Sequence, residues 1–386
     1  MTLPLSGLKV IEFSHMVMGP AAGLMLADLG ADVIKVEPVG GDKTRRLRGA
    51  GAGYFPMYNR NKRSLAINLE SETGKRIVRD LIRDADVFIE NFRPGALDRL
   101  GFGWDTLSEL NPGLVYCSEK GFLNGPYDHR TALDEVTQMM GGLAYMTGPP
   151  GRPLRAGTSV VDITGGMFGA MGVMAALNER HTTNRGKRVT ASLFETTVFL
   201  VGQHMAQKAV TGTPAAPMPA RVSAWAIYQL FDTRDGEQVF VGCVSDCQWV
   251  TLCKAFDLEY LLDDPDLGEN RDRVIYKDRF LPQIEDKFRS MTKAELMARI
   301  EKLGLPFAPI GKPEEMFDDP HLNAGDGLLD MEMEDGGRCK LPALPVSLDG
   351  LRLPLRLNPP KAGEHTEEIL RSLGADIGAL KNDGVI

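Results

Sequence analysis

Leu8-Lys9-Val10-Ile11-Glu12-Phe13, followed by Ala21 to Leu29 and then Ala31-Asp32-Val33-Ile34-Lys35-Val36, decides the fold class of this chain. The two outer runs are apolar and rich in β-branched residues, and the run between them has helical composition, so the segment reads as strand, helix, strand. The rhythm continues with Leu65 to Leu69 as strand, Gly74 to Asp84 as helix, Asp86 to Glu90 as strand, Trp104 to Leu110 as helix and Leu114 to Ser118 as strand. Such alternation predicts an α/β fold: a parallel sheet covered by helices, with ligands bound at the carboxyl ends of the strands.

Beyond Thr131 the pattern turns helical, with helices expected at Ala132 to Met146, Ile163 to Glu179 and Leu193 to Ala209. Pro214, Pro217 and Pro219 then break helical continuity, so 208–223 reads as an extended linker. A hairpin around Arg234-Asp235-Gly236-Glu237 opens a second, α+β unit with helices near Gln248 to Phe256, Lys277 to Phe288 and Lys293 to Leu303. A second hairpin is expected around Asp335-Gly336-Gly337. Pro342, Pro345, Pro354, Pro359 and Pro360 mark a crossing back, and Thr366 to Leu373 reads as a short helix. The expected organisation is a large α/β part in 1–207, a linker in 208–223, an inserted small domain in 224–340, and a return segment in 341–386.

The chain has 386 residues, 42 of them glycine, and a formal net charge of −8. That balance opposes nucleic acid and anionic membrane as bulk partners, because both require a positive field. Yet residues 41–63 hold seven Lys or Arg and one Asp, a local charge of +6. This segment reads either as a solvated loop or as a mobile cover for a polyanionic ligand. Five cysteines without a C-x-x-C pair suggest neither a disulfide framework nor a zinc site, and so a reducing, cytoplasmic setting. No secretory pattern and no long uninterrupted apolar run stand in the chain, so neither secretion nor membrane spanning is expected.

The first strand-to-helix turn, Ser14-His15-Met16-Val17-Met18-Gly19-Pro20, lacks the G-x-G-x-x-G fingerprint, and no G-x-x-x-x-G-K-[ST] loop occurs. Nicotinamide and nucleoside triphosphate readings lose their basis, and the six scattered histidines without H-E-x-x-H give no metal site. Arg93, Arg99 and Lys120 follow or end predicted strands, where this architecture binds ligands. Thr158-Ser159-Val160-Val161-Asp162-Ile163-Thr164-Gly165-Gly166 leads into a helix with Gly165, Gly169 and Gly172 on one face. Glycine there costs ~1 kcal/mol each relative to alanine, so close packing or close ligand approach must compensate. Asp162 is either the helix N-cap or a covalent nucleophile toward an activated acyl group, with helix and glycine N–H groups stabilising the oxyanion.

Several spaced motifs resemble the class III CoA-transferases, the family of formyl-CoA transferase and carnitine CoA-transferase. They are Leu5 to Glu12, Gly30 to Glu37, Asn61-Lys62-Arg63-Ser64, Glu90-Asn91-Phe92-Arg93-Pro94-Gly95, Lys120-Gly121-Phe122 with Gly125-Pro126-Tyr127, and Gly363-Glu364-His365-Thr366. The resemblance implies a Rossmann-like large domain and a smaller inserted domain in an open-ring subunit, two of which interlock as a homodimer. It implies coenzyme A and acyl-CoA as substrates, with no metal and no tightly bound cofactor. Asp162 would form an acyl anhydride and then an aspartyl-CoA thioester. CoA contacts would come from His15, Val17, Ile67, Leu69, Asn91, Phe92, Arg93, Arg99 and Lys120.

Substrate positions depart from the oxalate-specific pattern. Val17 stands where the formyl-CoA:oxalate enzyme has Gln, Phe122 where it has Tyr, and Gly242 to Gln248 replaces its glycine run. Leu193 to Gln203 is closer to the carnitine and dicarboxylate branches. The expectation is therefore transfer of CoA from a donor such as succinyl-CoA to a dicarboxylic acid, with Arg152, Arg155 and the arginines at 45–48 as candidate carboxylate partners. The alternatives are an α-methylacyl-CoA racemase and a non-catalytic acyl-CoA binder. Racemases carry Gly-His-Asp after G-P-Y, whereas this chain has Leu133 at the His position and His129 four residues earlier.

Overall fold

β1 (Lys9–Phe13), β2 (Asp32–Glu37), β3 (Lys62–Ala66), β4 (Val87–Glu90), β5 (Val115–Lys120) and β6 (Arg188–Ser192) form one six-stranded sheet in the order β3-β2-β1-β4-β5-β6. The computed structural model describes Thr2–Ile386. Every neighbouring pair in this sheet is parallel. The order reverses between β1 and β4, and the carboxyl ends of those two strands open the crevice in which such sheets bind ligands.

Two apolar layers cover the sheet. Phe13, Phe88, Phe102, Leu107 and Tyr116 form one core with the Glu72–Arg83 helix. Ala22, Leu26, Val33, Val87, Cys117, Ala170 and Val173 form the other, beneath the Met18–Asp28 and Val160–Thr183 helices. The latter helix has 24 residues and is long and apolar enough to cross a membrane by length and composition. Its glycines instead pack within the fold. A Cβ on Gly166 would lie 2.6 Å from the Met18 carbonyl oxygen, and one on Gly169 would lie 2.4 Å from Glu119 Oε1.

The basic segment is an internal scaffold, which corrects its reading as a polyanion cover. Arg60 pairs with buried Asp28 at 2.6 Å, Lys62 with buried Glu12 at 2.8 Å, and Arg45 with Glu37 at 2.7 Å. Arg63 binds Asp32 and Glu368. Only Lys43, Arg46 and Arg48 of the seven cations are exposed. The return segment seals edge strand β3: Ala66 N–H donates to Thr366 Oγ1 at 2.9 Å and Ser64 N–H to His365 Nδ1 at 3.3 Å. The Asn61 side-chain oxygen accepts the N–H groups of Arg356 and Leu357.

By contacts the chain divides into Met1–Pro219 with Pro320–Ile386, and Ala220–Asp319. The hairpin Leu328–Glu332 and Arg338–Pro342 thus falls with the larger unit rather than the smaller one in which the sequence reading put it. Its anchors explain this, since the Pro342 carbonyl accepts from Arg60 and Glu334 pairs with Arg45. Within the smaller unit, Ile227–Asp232, Gln238–Cys243 and Phe307–Pro309 form an antiparallel sheet around Trp249, Phe256, Phe280 and Phe288.

Other differences have local causes. The helix expected over 132–146 is two, Asp134–Met140 and Leu143–Thr147, because Gly142 adopts φ 90° between them. The one expected over 193–209 breaks at Val201 before Gly202–Thr211. The Ile377–Asn382 helix was not anticipated.

Candidate active site

The switch point is held by a side-chain clamp. Asn91, just past β4, accepts the His15 N–H at 3.1 Å and donates to the His15 carbonyl at 2.8 Å. The His15 ring rests against Phe92 at 5.3 Å. Next to it Met16 takes a left-handed φ of 64°, which a non-glycine residue adopts only under constraint. The Thr44 hydroxyl accepts the Met16 N–H at 3.0 Å, and Asp42 fixes Thr44 in turn. Lys35 supports the loop from below through the Ser14 carbonyl at 2.6 Å. Partial enclosure holds the His15 imidazole below its usual pKa, with Asp42 opposing.

Above this loop lies a cavity of about 280 Å³ lined by His15, Val17, Asn91, Glu119, Arg155 and Asp162, among others. Asp162 is in the first turn of the Val160–Thr183 helix, whose N-cap is Ser159, so the N-cap reading of Asp162 is overturned. The capping carboxylate is Asp134, whose Oδ2 accepts Val161 N–H at 2.9 Å and Asp162 N–H at 3.3 Å. Gln138 and Arg155 hold the other Asp134 oxygen at 2.6 and 3.3 Å.

This arrangement has an electrostatic consequence. A helix start normally favours a carboxylate, but Asp134 already occupies the exposed amides. Burial first, and the neighbouring Asp134 charge second, push the Asp162 carboxyl up to about 7 against the opposing Arg155. No hydrogen bond engages the Asp162 side chain among the described residues. Burial, followed by the Asp162 charge, also pushes the Tyr58 phenol up to about 12. The helix amides at 161 and 162 are therefore taken by Asp134 and are not free to hold an oxyanion as the sequence reading expected.

A second cavity of about 300 Å³ shares Lys120 and adds Arg93, Arg188, His129 and Trp104. Arg93 and Arg99 are exposed and form no ion pair among the described residues, and Arg93 lines this cavity whereas Arg99 does not. Lys120 is engaged: its ammonium donates to both Glu90 oxygens and to the Phe92 carbonyl at 2.6 to 2.7 Å. It thereby anchors the 91–93 segment, and it lines both cavities. Ile67 is 1% exposed in the sheet core and Leu69 packs on that core, so neither side chain lines a cavity. Of the arginines proposed for a carboxylate, Arg155 alone borders Asp162, since Arg45 is paired with Glu37. Leu133 borders the Asp162 cavity and His129 the neighbouring one.

Asp134, Tyr58, Met16 and Glu119 were not singled out as site residues from sequence. Two signals were available: an Asp opening a helical run after a loop, and a lone Glu at the buried end of a strand. Among the described residues no group of three or more His, Cys, Asp or Glu is arranged to hold a metal ion.

The fold is a doubly wound sheet without a nucleotide loop, with a raised aspartate lining the cavity at its switch point. Residues 5–366 match CoA-transferase family III. The chain is 37% identical to an acyl-CoA transferase of Fusarium pseudograminearum, over 99% of this chain and 88% of that one. It is 31% identical to the succinyl-CoA:glutarate CoA-transferase of Homo sapiens, over 99% and 90%. A crystal structure of a CAIB/BAIF family protein from Brucella suis superposes with a TM-score of 0.84 at 32% identity, covering 97% of this chain and all of that one. The chain belongs to CoA-transferase family III, and it is an enzyme that transfers CoA between an acyl-CoA and an acid.

Proposed function

We propose that the enzyme moves CoA from succinyl-CoA to a dicarboxylic acid through covalent intermediates on Asp162. The observation carrying this reading is the Asp162 carboxyl itself: half-buried, free of hydrogen bonds and raised to about 7. A desolvated carboxylate of raised basicity is a stronger nucleophile than an exposed one. The Asp162 carboxylate attacks the donor thioester carbonyl, forming the mixed anhydride and releasing CoA thiolate. The thiolate attacks the aspartyl carbonyl, giving aspartyl-CoA thioester and the free donor acid. The acceptor carboxylate then attacks that thioester, giving a second anhydride and thiolate. Thiolate attack on the acceptor acyl carbon yields the new acyl-CoA and restores Asp162.

The dicarboxylate reading draws on Val17 and Phe122 in place of the oxalate-type residues and on the glutarate specificity named for the human relative. Exposed Arg93 suits the CoA phosphates, and the Asn91 clamp holds the His15 loop against the coenzyme. A second copy of the chain is the proposed partner, in the interlocked open-ring form. Met167, Met171 and Met174 on the Asp162 helix, with Phe199, Met205 and Val210, are exposed large apolar side chains that a second copy would cover. Five free cysteines fit a reducing cytoplasm.

Trapping with hydroxylamine or borohydride during turnover of succinyl-CoA, followed by peptide mapping, tests the mechanism. The label is expected on Asp162. A label elsewhere, or full transfer activity in Asp162→Ala, overturns it. A mass-spectrometric screen of acids against succinyl-CoA identifies the acceptor.

A further inference from the structure

Glu119 has no role in the chemistry above, yet its setting is unusual. It is the penultimate residue of β5, 2% exposed, and it borders the Asp162 cavity. Neither carboxyl oxygen has a hydrogen-bond partner. Buried carboxyls are nearly always bonded, and an orphan is costly, so its retention calls for an explanation. The surroundings rule out a buried anion. Gly169 abuts one oxygen, and the nearest charges include the carboxylates of Glu12, Glu90 and Asp162, against the single cation Lys62. Burial first and those acids second push the Glu119 carboxyl well above the usual carboxylate range. A neutral carboxyl has an O–H to donate. The two permanent cations around the cavity are already engaged, Lys120 by Glu90 and Arg155 by Asp134 and Glu135.

We propose that Glu119 is a specificity-determining residue that donates its O–H to the far carboxylate of a dicarboxylic substrate whose reacting carboxylate faces Asp162. The inference rests on the Asp162 reading and adds to it the group that tells a dicarboxylate from a monocarboxylate. A carboxyl-to-carboxylate hydrogen bond is charge-assisted and short, and a buried site built for it strongly rejects an analogue lacking the acceptor.

The test compares glutarate with pentanoate as acceptors for succinyl-CoA, using wild type, Glu119→Met and Glu119→Gln. Met keeps the length of the side chain and removes the donor, whereas Gln keeps a neutral donor. Glu119→Met is expected to lower kcat/KM for glutarate about tenfold or more while leaving pentanoate nearly unaffected, and Glu119→Gln is expected to recover most of that loss. Equal losses for both acids would reveal a packing role and overturn the proposal. So would a Gln variant as impaired as Met. If the screen yields another acceptor, that acid and its analogue lacking the far carboxylate replace the pair; an acceptor without a second carboxylate overturns the proposal. Should the variants not fold, infrared difference spectra of the wild type on glutarate binding decide: a protonated-carboxyl C=O band must shift, and its absence sinks the assignment. Acyl-enzyme trapping at Asp162 in the Glu119 variants separates failure here from failure of the nucleophile.

Discussion

Asp134 and Asp162 are joined through the backbone and opposed through their charges: the Asp134 carboxylate accepts the Asp162 N–H at 3.3 Å while raising the Asp162 carboxyl to about 7. One residue thus fixes the helix start and tunes the group it presents. Asp134→Asn keeps a side-chain oxygen for the amides and removes the charge. The Asp162 carboxyl should then ionise more readily, moving the acidic limb of the kcat/KM profile down by roughly one pH unit. A pH profile of acyl-enzyme formation checks this; an unmoved limb refutes it.

The raised Asp162 carboxyl also weakens the fold. An unfolded aspartyl carboxyl ionises near pH ~3.9, so the folded state binds the proton more tightly and stability falls as pH rises from there through about 7. The full cost is present above pH 7. Asp162→Asn removes it, so this variant should be more stable than wild type by on the order of 2–4 kcal/mol at pH 8 and by about half of that or less at pH 5. Urea denaturation at the two pH values measures the difference.

The clamp at the switch point gives a kinetic prediction. Asn91→Ala removes both side-chain bonds to the His15 backbone and frees a loop that holds Met16 at φ 64°. The loop then has to be ordered by the ligand, so KM for acyl-CoA should rise about tenfold. Asp162 is held from another helix, so trapped acyl-enzyme at saturating acyl-CoA should change little. Single-turnover measurements separate the two effects.

Much of this was legible in the sequence. Alternating apolar runs located strands β1 to β5 along the chain, though β3 runs Lys62–Ala66 and not Leu65 to Leu69, because its first half, Lys62-Arg63-Ser64, is polar by composition. β6 escaped notice because Arg188-Val189-Thr190-Ala191-Ser192 is a polar edge strand, buried only over its last two residues and little different from a loop by composition. Asp162 was found through its glycine-rich helix, but the source of its altered acidity, Asp134, is 28 positions away. The basic segment misled for the same reason. Charge density along the chain was visible, whereas the partners Glu12, Asp32 and Glu37 came into contact through the parallel pairing of β1, β2 and β3, and Asp28 from the end of the Met18–Asp28 helix.

Arg60 offers the sharpest test of that revised reading. Its guanidinium contacts Asp28 through two nitrogens, donates to the Pro342 carbonyl, and is fully buried. Arg60→Ala leaves Asp28 buried with only the Asn61 side-chain amide donating to it among the described residues, and removal of one member of a buried pair costs about 3–5 kcal/mol. The variant should unfold at markedly lower urea, yet the folded fraction should keep the wild-type KM for acyl-CoA, because no atom of Arg60 borders either cavity beside Asp162. Had the segment been a cover for the coenzyme phosphates, the pattern would be the reverse: a large rise in KM, strong salt dependence and little change in stability. Measuring urea midpoints alongside KM at two ionic strengths distinguishes the two patterns.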